Sequence, residues 1–113
     1  MDYHAIYKSW QADPENFWME AAEDIDWEQK PTFALNDSNA PIFEWYTDSY
    51  VNTCFNAVDR HVENGRGDQT AIIYDSPITE KKQHITYAQL LEKTSLLAGA
   101  LINTGITKGD RVI

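Results

Sequence analysis

Few residues in this chain stand at spacings that could do chemistry, and each such group has a competing structural reading. Asp59-Arg60-His61 puts a carboxylate two positions before an imidazole, a pairing that general-base catalysis could use. On a helix, residues two apart point in different directions, so Asp59 cannot easily orient His61. Arg60 and His61 instead suit the negative end of a helix dipole. Gly65-Arg66-Gly67 hints at a phosphate loop, but a phosphate cradle needs wider glycine spacing and a Lys-Ser/Thr pair. Arg66-Gly67-Asp68 spells a cell-adhesion tripeptide and reads as a turn. His4, His61 and His84 lack the paired spacing of zinc ligands. Glu20, Glu23, Asp24, Asp26 and Glu28 crowd one segment without the ordered alternation of a calcium loop, so they read as a solvated acidic face. Cys54 falls on an apolar helical face and reads as a small core residue. Asn36-Asp37-Ser38 fits the glycosylation pattern by chance, because the chain shows no secretion signal. Trp10, Trp18, Trp27 and Trp45 could form an aromatic ligand surface, but more often such residues pin an irregular wrap onto a partner domain. No catalytic, cofactor-binding or metal-binding residue is assigned.

The elements that would carry these groups read as follows. Tyr3 to Trp10 fits a short helix behind Asp2 as cap. Asp13-Pro14-Glu15 supplies a cap, a proline at the first helical position and an acid in the first turn, predicting a helix from Pro14 to Glu23 with Phe17, Trp18, Ala21 and Ala22 on one face. Residues 28–44 show no period and contain Pro31 and Pro41, which predicts an extended wrap anchored by Phe33, Leu35, Ile42 and Phe43. Asn52 is a candidate cap for a helix from Thr53 to Asn64, with Phe55, Val58 and Val62 at helical spacing and Gly65 as its left-handed stop. Thr70 to Tyr74 reads as a buried strand and Gln83 to Thr86 as its return, with a loose loop at 79–82. Thr86-Tyr87-Ala88-Gln89 is a capping box. It opens a helix over 86–104 with an apolar stripe at Leu90, Thr94, Leu97, Ala98, Leu101 and Ile102, closed by Gly105. Arg111-Val112-Ile113 reads as the start of a strand. The stripe has too few partners among these residues, so its packing surface is expected in protein beyond them.

Composition narrows the class. A chain of 113 residues, 42% hydrophobic, fits one small domain. No apolar run approaches the ~18–20 residues of a membrane span. The opening residues lack the basic cluster and apolar block of a signal peptide, and they are acidic where a mitochondrial transit peptide is Arg-rich, so a cytoplasmic protein is expected. The single cysteine excludes an internal disulfide. Net charge is −9. Residues 1–50 carry eleven acids, two bases and all four tryptophans, whereas residues 51–113 balance seven against seven. Such an excess of acid argues against a nucleic-acid surface.

Read in order, these residues carry a resemblance. Trp45-Tyr46, Val51-Asn52, Asn56 and Asp59-Arg60-His61 resemble the amino-terminal region of the short-chain acyl-CoA synthetases, as do Phe17-Trp18, Ala21 and Asp26-Trp27 upstream. Ile85-Thr86-Tyr87, Leu90, Ala98, Leu101, Gly105 and Lys108-Gly109-Asp110-Arg111-Val112 look like the start of the AMP-binding domain of that family. Gly65 to Gln69 and Ile73 to Pro77 resemble the propionate-activating branch, while acetate-activating relatives more often show Trp-Glu where Tyr74-Asp75 stands. Ser49-Tyr50-Val51 departs from a common Gly-x-Leu, which bears on local turn shape.

The resemblance implies an α/β fold: a helical N-terminal segment over 1–64, then the first hairpin, helix and strand of an AMP-binding domain over 65–113, truncated there. It implies a ligase that joins a short carboxylate to CoA through an acyl-adenylate, using ATP and Mg²⁺. The phosphate loop, adenine and metal motifs and catalytic lysine of the family fall outside these residues. The segment alone is therefore expected to bind no cofactor and to be inert, with the rest of the AMP-binding domain as its packing partner and no nucleic acid or membrane involved. An acetate-CoA ligase segment, or a non-catalytic module that docks on a larger partner, remain the alternatives.

Overall fold

A computed structural model describes residues 2–113. They fall into two compact units, Met1–Thr53 and Cys54–Ile113.

The first unit opens with α1 (Tyr3–Ala12). Asp2 stands at its N-cap but makes no side-chain capping bond. Its carbonyl accepts the amides of Ala5 and Ile6, both at 3.1 Å, so the cap expected of its carboxylate is absent. Tyr3 stacks on Tyr7, and Tyr7 tilts against Trp10, the neighbours that i,i+4 and i,i+3 spacing produces. α2 (Pro14–Ala22) forms as its sequence predicts: the Asp13 carboxylate accepts the Asn16 amide at 3.1 Å, and proline occupies the first turn.

The stretch after α2 is not a featureless wrap. Four short strands follow, β1 (Trp27–Gln29), β2 (Leu35–Asn36), β3 (Glu44–Trp45) and β4 (Tyr50–Val51). β2 pairs antiparallel with β3, and β1 antiparallel with β4. Ladders of two or three residues bury neither face, so no alternation marks them in the sequence. The expected anchors are also displaced. Ile42 is 67% exposed, Phe43 and Leu35 are exposed, and Phe33 is half-buried, whereas Ala34 is 1% exposed. A methyl side chain lets backbone and rings close over it, and Ala22 on α2 is buried in the same way.

The second unit begins at Cys54, within a helical stretch whose turn at Phe55–Asp59 is widened to π geometry and which leaves helical geometry at Asn64 and Gly65. The Arg60 amide reaches back five residues to the Phe55 carbonyl. Val58 is its buried residue. Gly65 takes φ 76° and ends the stretch, as expected of a left-handed stop. β5 (Thr70–Ser76) and β6 (Lys81–Thr86) pair antiparallel from Thr70↔Thr86 to Ser76↔Lys81. β6 therefore takes in Lys81 and Lys82, which the sequence suggested were loop. α3 (Tyr87–Asn103) starts at the expected capping box: the Gln89 amide donates to Thr86 Oγ1 at 3.2 Å and the Thr86 amide donates to Gln89 Oε1 at 3.1 Å.

Two further expectations fail here. Thr70–Tyr74 is a strand but not a buried one, with Ile73 71% exposed and Ile72 and Tyr74 exposed as well. Residues 111–113 form no strand. A strand exists by pairing, and within the described residues of this unit β5 and β6 pair only with each other. The mixed α/β character holds, as helices with small two-stranded sheets.

Candidate functional site

In the first unit the functional-looking groups are aromatic, and hydrogen bonds hold them in place. α2 projects Glu15 and Trp18. The Glu15 carboxylate accepts the Ala34 amide at 2.6 Å, which docks the start of β2 on the helix. The Trp27 indole donates to the Ala22 carbonyl at 2.7 Å, turning the chain back along the last turn of α2. Tyr46 follows β3 at φ 51°, a left-handed conformation that costs a non-glycine residue about 1–2 kcal/mol. Two bonds offset that cost. Its amide donates to the Ala34 carbonyl at 2.9 Å and its hydroxyl to the Trp18 carbonyl at 2.8 Å. Burial, then the nearby Glu15 charge, raise the Tyr46 phenol above its ordinary pKa. The rings then meet: Trp18 lies edge-on to Trp45 at 5.5 Å, and Trp27 edge-on to Tyr46 at 5.5 Å.

Asp48 closes the loop between β3 and β4. Its Oδ2 accepts from the Thr32 amide at 3.0 Å and the Thr32 hydroxyl at 2.5 Å, and its carbonyl accepts from the Gln29 side chain at 2.6 Å. The Thr32 hydroxyl bond holds the Asp48 carboxyl below the ordinary range, against the opposing effect of burial.

Two hollows flank the Trp18–Trp45 pair. One, of about 350 Å³, is lined by Trp18, Ala21, Ala22, Ile25, Trp45 and Tyr46. The other, of about 550 Å³, shares both tryptophans and adds Trp10, Glu15 and Asp37. The tryptophans join elements of this segment to one another, Trp18 to Trp45 and Trp27 to Tyr46 and Ala22. The arrangement offers no nucleophile.

In the second unit, His61 meets not Asp59 but Arg66, whose guanidinium donates to Nδ1, and its ring packs on Tyr87 at 4.6 Å. Burial first, then the charges of Arg66 and Arg60, lower the His61 pKa, which favours the neutral ring that can accept that bond. Asp59 is engaged elsewhere, accepting from Cys54 Sγ at 3.8 Å. Cys54 is exposed, which corrects its expected place in the core: it stands in the opening turn of its helix, a position covered only when another element crosses it. Arg60 spans one turn to the Asn56 side chain at 3.1 Å.

Gly67 and Asp68 form a turn. Gly67 and Gln69 present their carbonyls, each at 3.0 Å, to the amides of Ala88 and Tyr87 at the start of α3. Those two amides at the start of α3 are thereby engaged. His4 packs on Tyr3 in α1, and His84 lies on β6. Among the described residues, no three His, Cys, Asp or Glu side chains are grouped to hold a metal ion. Asn36 Oδ1 accepts from the Ser38 amide and hydroxyl, forming an Asx turn. Sequence reasoning missed Glu15, Thr32, Tyr46 and Asp48. Their bonds span 16 to 28 residues and no local pattern announces them.

Residues 3–57 match the family model described as acetyl-coenzyme A synthetase N-terminus. The chain is thus similar to the amino-terminal segment of acyl-CoA and acetyl-CoA synthetases, the level at which the resemblance read from its residues is supported. More particularly, it is 46% identical over 112 residues to "Acyl-CoA synthetase short-chain family member 3, mitochondrial" of Bos taurus and of Homo sapiens, covering 99% of this chain and 16% of each relative. It is 42% identical over 106 residues to the acetyl-coenzyme A synthetase of Streptomyces coelicolor, covering 94% of this chain and 16% of that protein. The chain therefore spans about 16% of the length of these relatives. The mammalian names carry "mitochondrial", which does not agree with the cytoplasmic expectation. Among the described residues no helix is long and apolar enough to cross a membrane.

Proposed function

We propose that this chain is the amino-terminal segment of an AMP-forming carboxylate–CoA ligase, with residues 65–113 opening the AMP-binding domain. The observation that carries this reading is 46% identity across 99% of the chain to proteins named acyl-CoA synthetase. In the reaction, a carboxylate attacks the α-phosphate of ATP to give acyl-adenylate and pyrophosphate. The CoA thiol then displaces AMP, giving acyl-CoA. Such chemistry needs preorganised donors and Mg²⁺ around the spreading phosphate charge. The family's phosphate loop, adenine and metal motifs and catalytic lysine fall outside these residues, so no step is assigned to a residue here. The segment braces the larger domain through the exposed apolar side chains of β5 and α3.

Propionate is the favoured acid, because Gly65 to Gln69 and Ile73 to Pro77 resemble that branch. Acetate is the second reading, favoured by the 42% identity to acetyl-coenzyme A synthetases. The full-length product of the gene, given ATP, Mg²⁺ and CoA, should release AMP and pyrophosphate only when a short carboxylate is present. One methylene in an apolar pocket is worth about 10–200-fold, so kcat/KM for propionate should exceed that for acetate by about tenfold. The reverse order assigns the acetate branch, and no carboxylate-dependent AMP overturns the ligase reading. Fluorescent tagging of the same product decides between cytoplasm and mitochondrion.

A further inference from the structure

The two hollows beside Trp18 and Trp45 differ in chemistry. The smaller is lined by indole, phenol and aliphatic groups and has no charged side chain. The larger joins three tryptophans, Trp10, Trp18 and Trp45, to two carboxylates, Glu15 and Asp37. Indole faces attract cations. A guanidinium stacks on such faces and also pairs with carboxylates through its fixed fork of donors, which a compact, strongly hydrated ammonium does less well. Part of the site is set before any ligand arrives. Glu15 is fixed by its 2.6 Å bond from the Ala34 amide, and Trp18 and Trp45 hold each other edge-to-face. The surrounding charge agrees, since residues 1–50 hold eleven acids and two bases.

We propose that this face binds an arginine side chain of a partner protein in the larger hollow, with an adjoining aliphatic side chain of the same partner in the smaller one. This goes beyond ligase activity and does not depend on it, since the readout is binding.

The test uses the full-length product of the gene and the probe peptide acetyl-Gly-Leu-Arg-Gly amide, titrated calorimetrically. A second peptide carries citrulline, the uncharged isostere, in place of arginine. The double variant Glu15→Gln/Asp37→Asn removes both charges while keeping shape and the bond to Ala34, and its melting temperature verifies that it folds. Saturable binding of the arginine peptide is expected, weakened about tenfold or more by citrulline and by the double variant, and weakened by added salt. Absence of binding, equal affinity for the citrulline peptide, or unchanged affinity in the folded double variant overturns the proposal.

Discussion

The Tyr46 hydroxyl donates to the Trp18 carbonyl at 2.8 Å, tying a left-handed residue after β3 to the middle of α2 across 28 positions of sequence. In the full-length product of the gene, as for the variants that follow, Tyr46→Phe keeps the ring and loses the bond, so it should cost about 0.5–1.5 kcal/mol in chemical denaturation. The pH response carries a sign. Burial and Glu15 raise the folded phenol pKa, so the contribution is complete below the ordinary tyrosine value and is lost as pH rises through the folded value. The variant should lack that alkaline loss.

Asp48 and Thr32 give the opposite response. The Thr32 bonds lower the Asp48 pKa, so their contribution is present above the ordinary carboxyl value and lost as pH falls through the folded one. Thr32→Val removes the hydroxyl donor and keeps the amide. It should move the acid unfolding midpoint to higher pH, as followed by tryptophan fluorescence.

Burial, Arg66 and Arg60 lower the His61 pKa. Its folded pKa lies below its ordinary value, so its contribution is present above that value and declines as pH falls through the lower one. His61→Asn offers an uncharged acceptor to Arg66. Its melting temperature should change less than that of the parent between about pH 7 and pH 5.

Gly65 takes φ 76°, and a β-carbon there would meet nothing within 4 Å. Gly65→Ala thus isolates the backbone cost of the left-handed conformation, about 1–2 kcal/mol. Gly65→Asn should cost less, because asparagine visits that region more readily. Urea unfolding of the two variants checks the order.

How much of this was legible follows from range. Asp13-Pro14 and Thr86–Gln89 are local signals, and both helices begin where those residues say. Gly65 ends its helix for the same local reason. The four short strands were not legible, since pairings such as Leu35↔Trp45 leave no period to read. Nor was the Glu15–Ala34 bond, which depends on tertiary closure rather than on spacing. Cys54 and Thr70–Tyr74 have apolar composition but are exposed or mostly exposed. Composition reports what a residue would prefer to touch, not whether a neighbour is there.

That mismatch is the centre of the account. Ile73, Leu96 and Ile102 are 71%, 68% and 69% exposed, while among the described residues the buried apolar side chains are Ala22, Ala34 and Val58. The most direct measurement is a thermal melt of the isolated 113-residue chain followed by near-ultraviolet circular dichroism. A broad, shallow change with no cooperative midpoint is expected of a segment that depends on protein packed against these faces. A sharp cooperative transition of a monomer would contradict it.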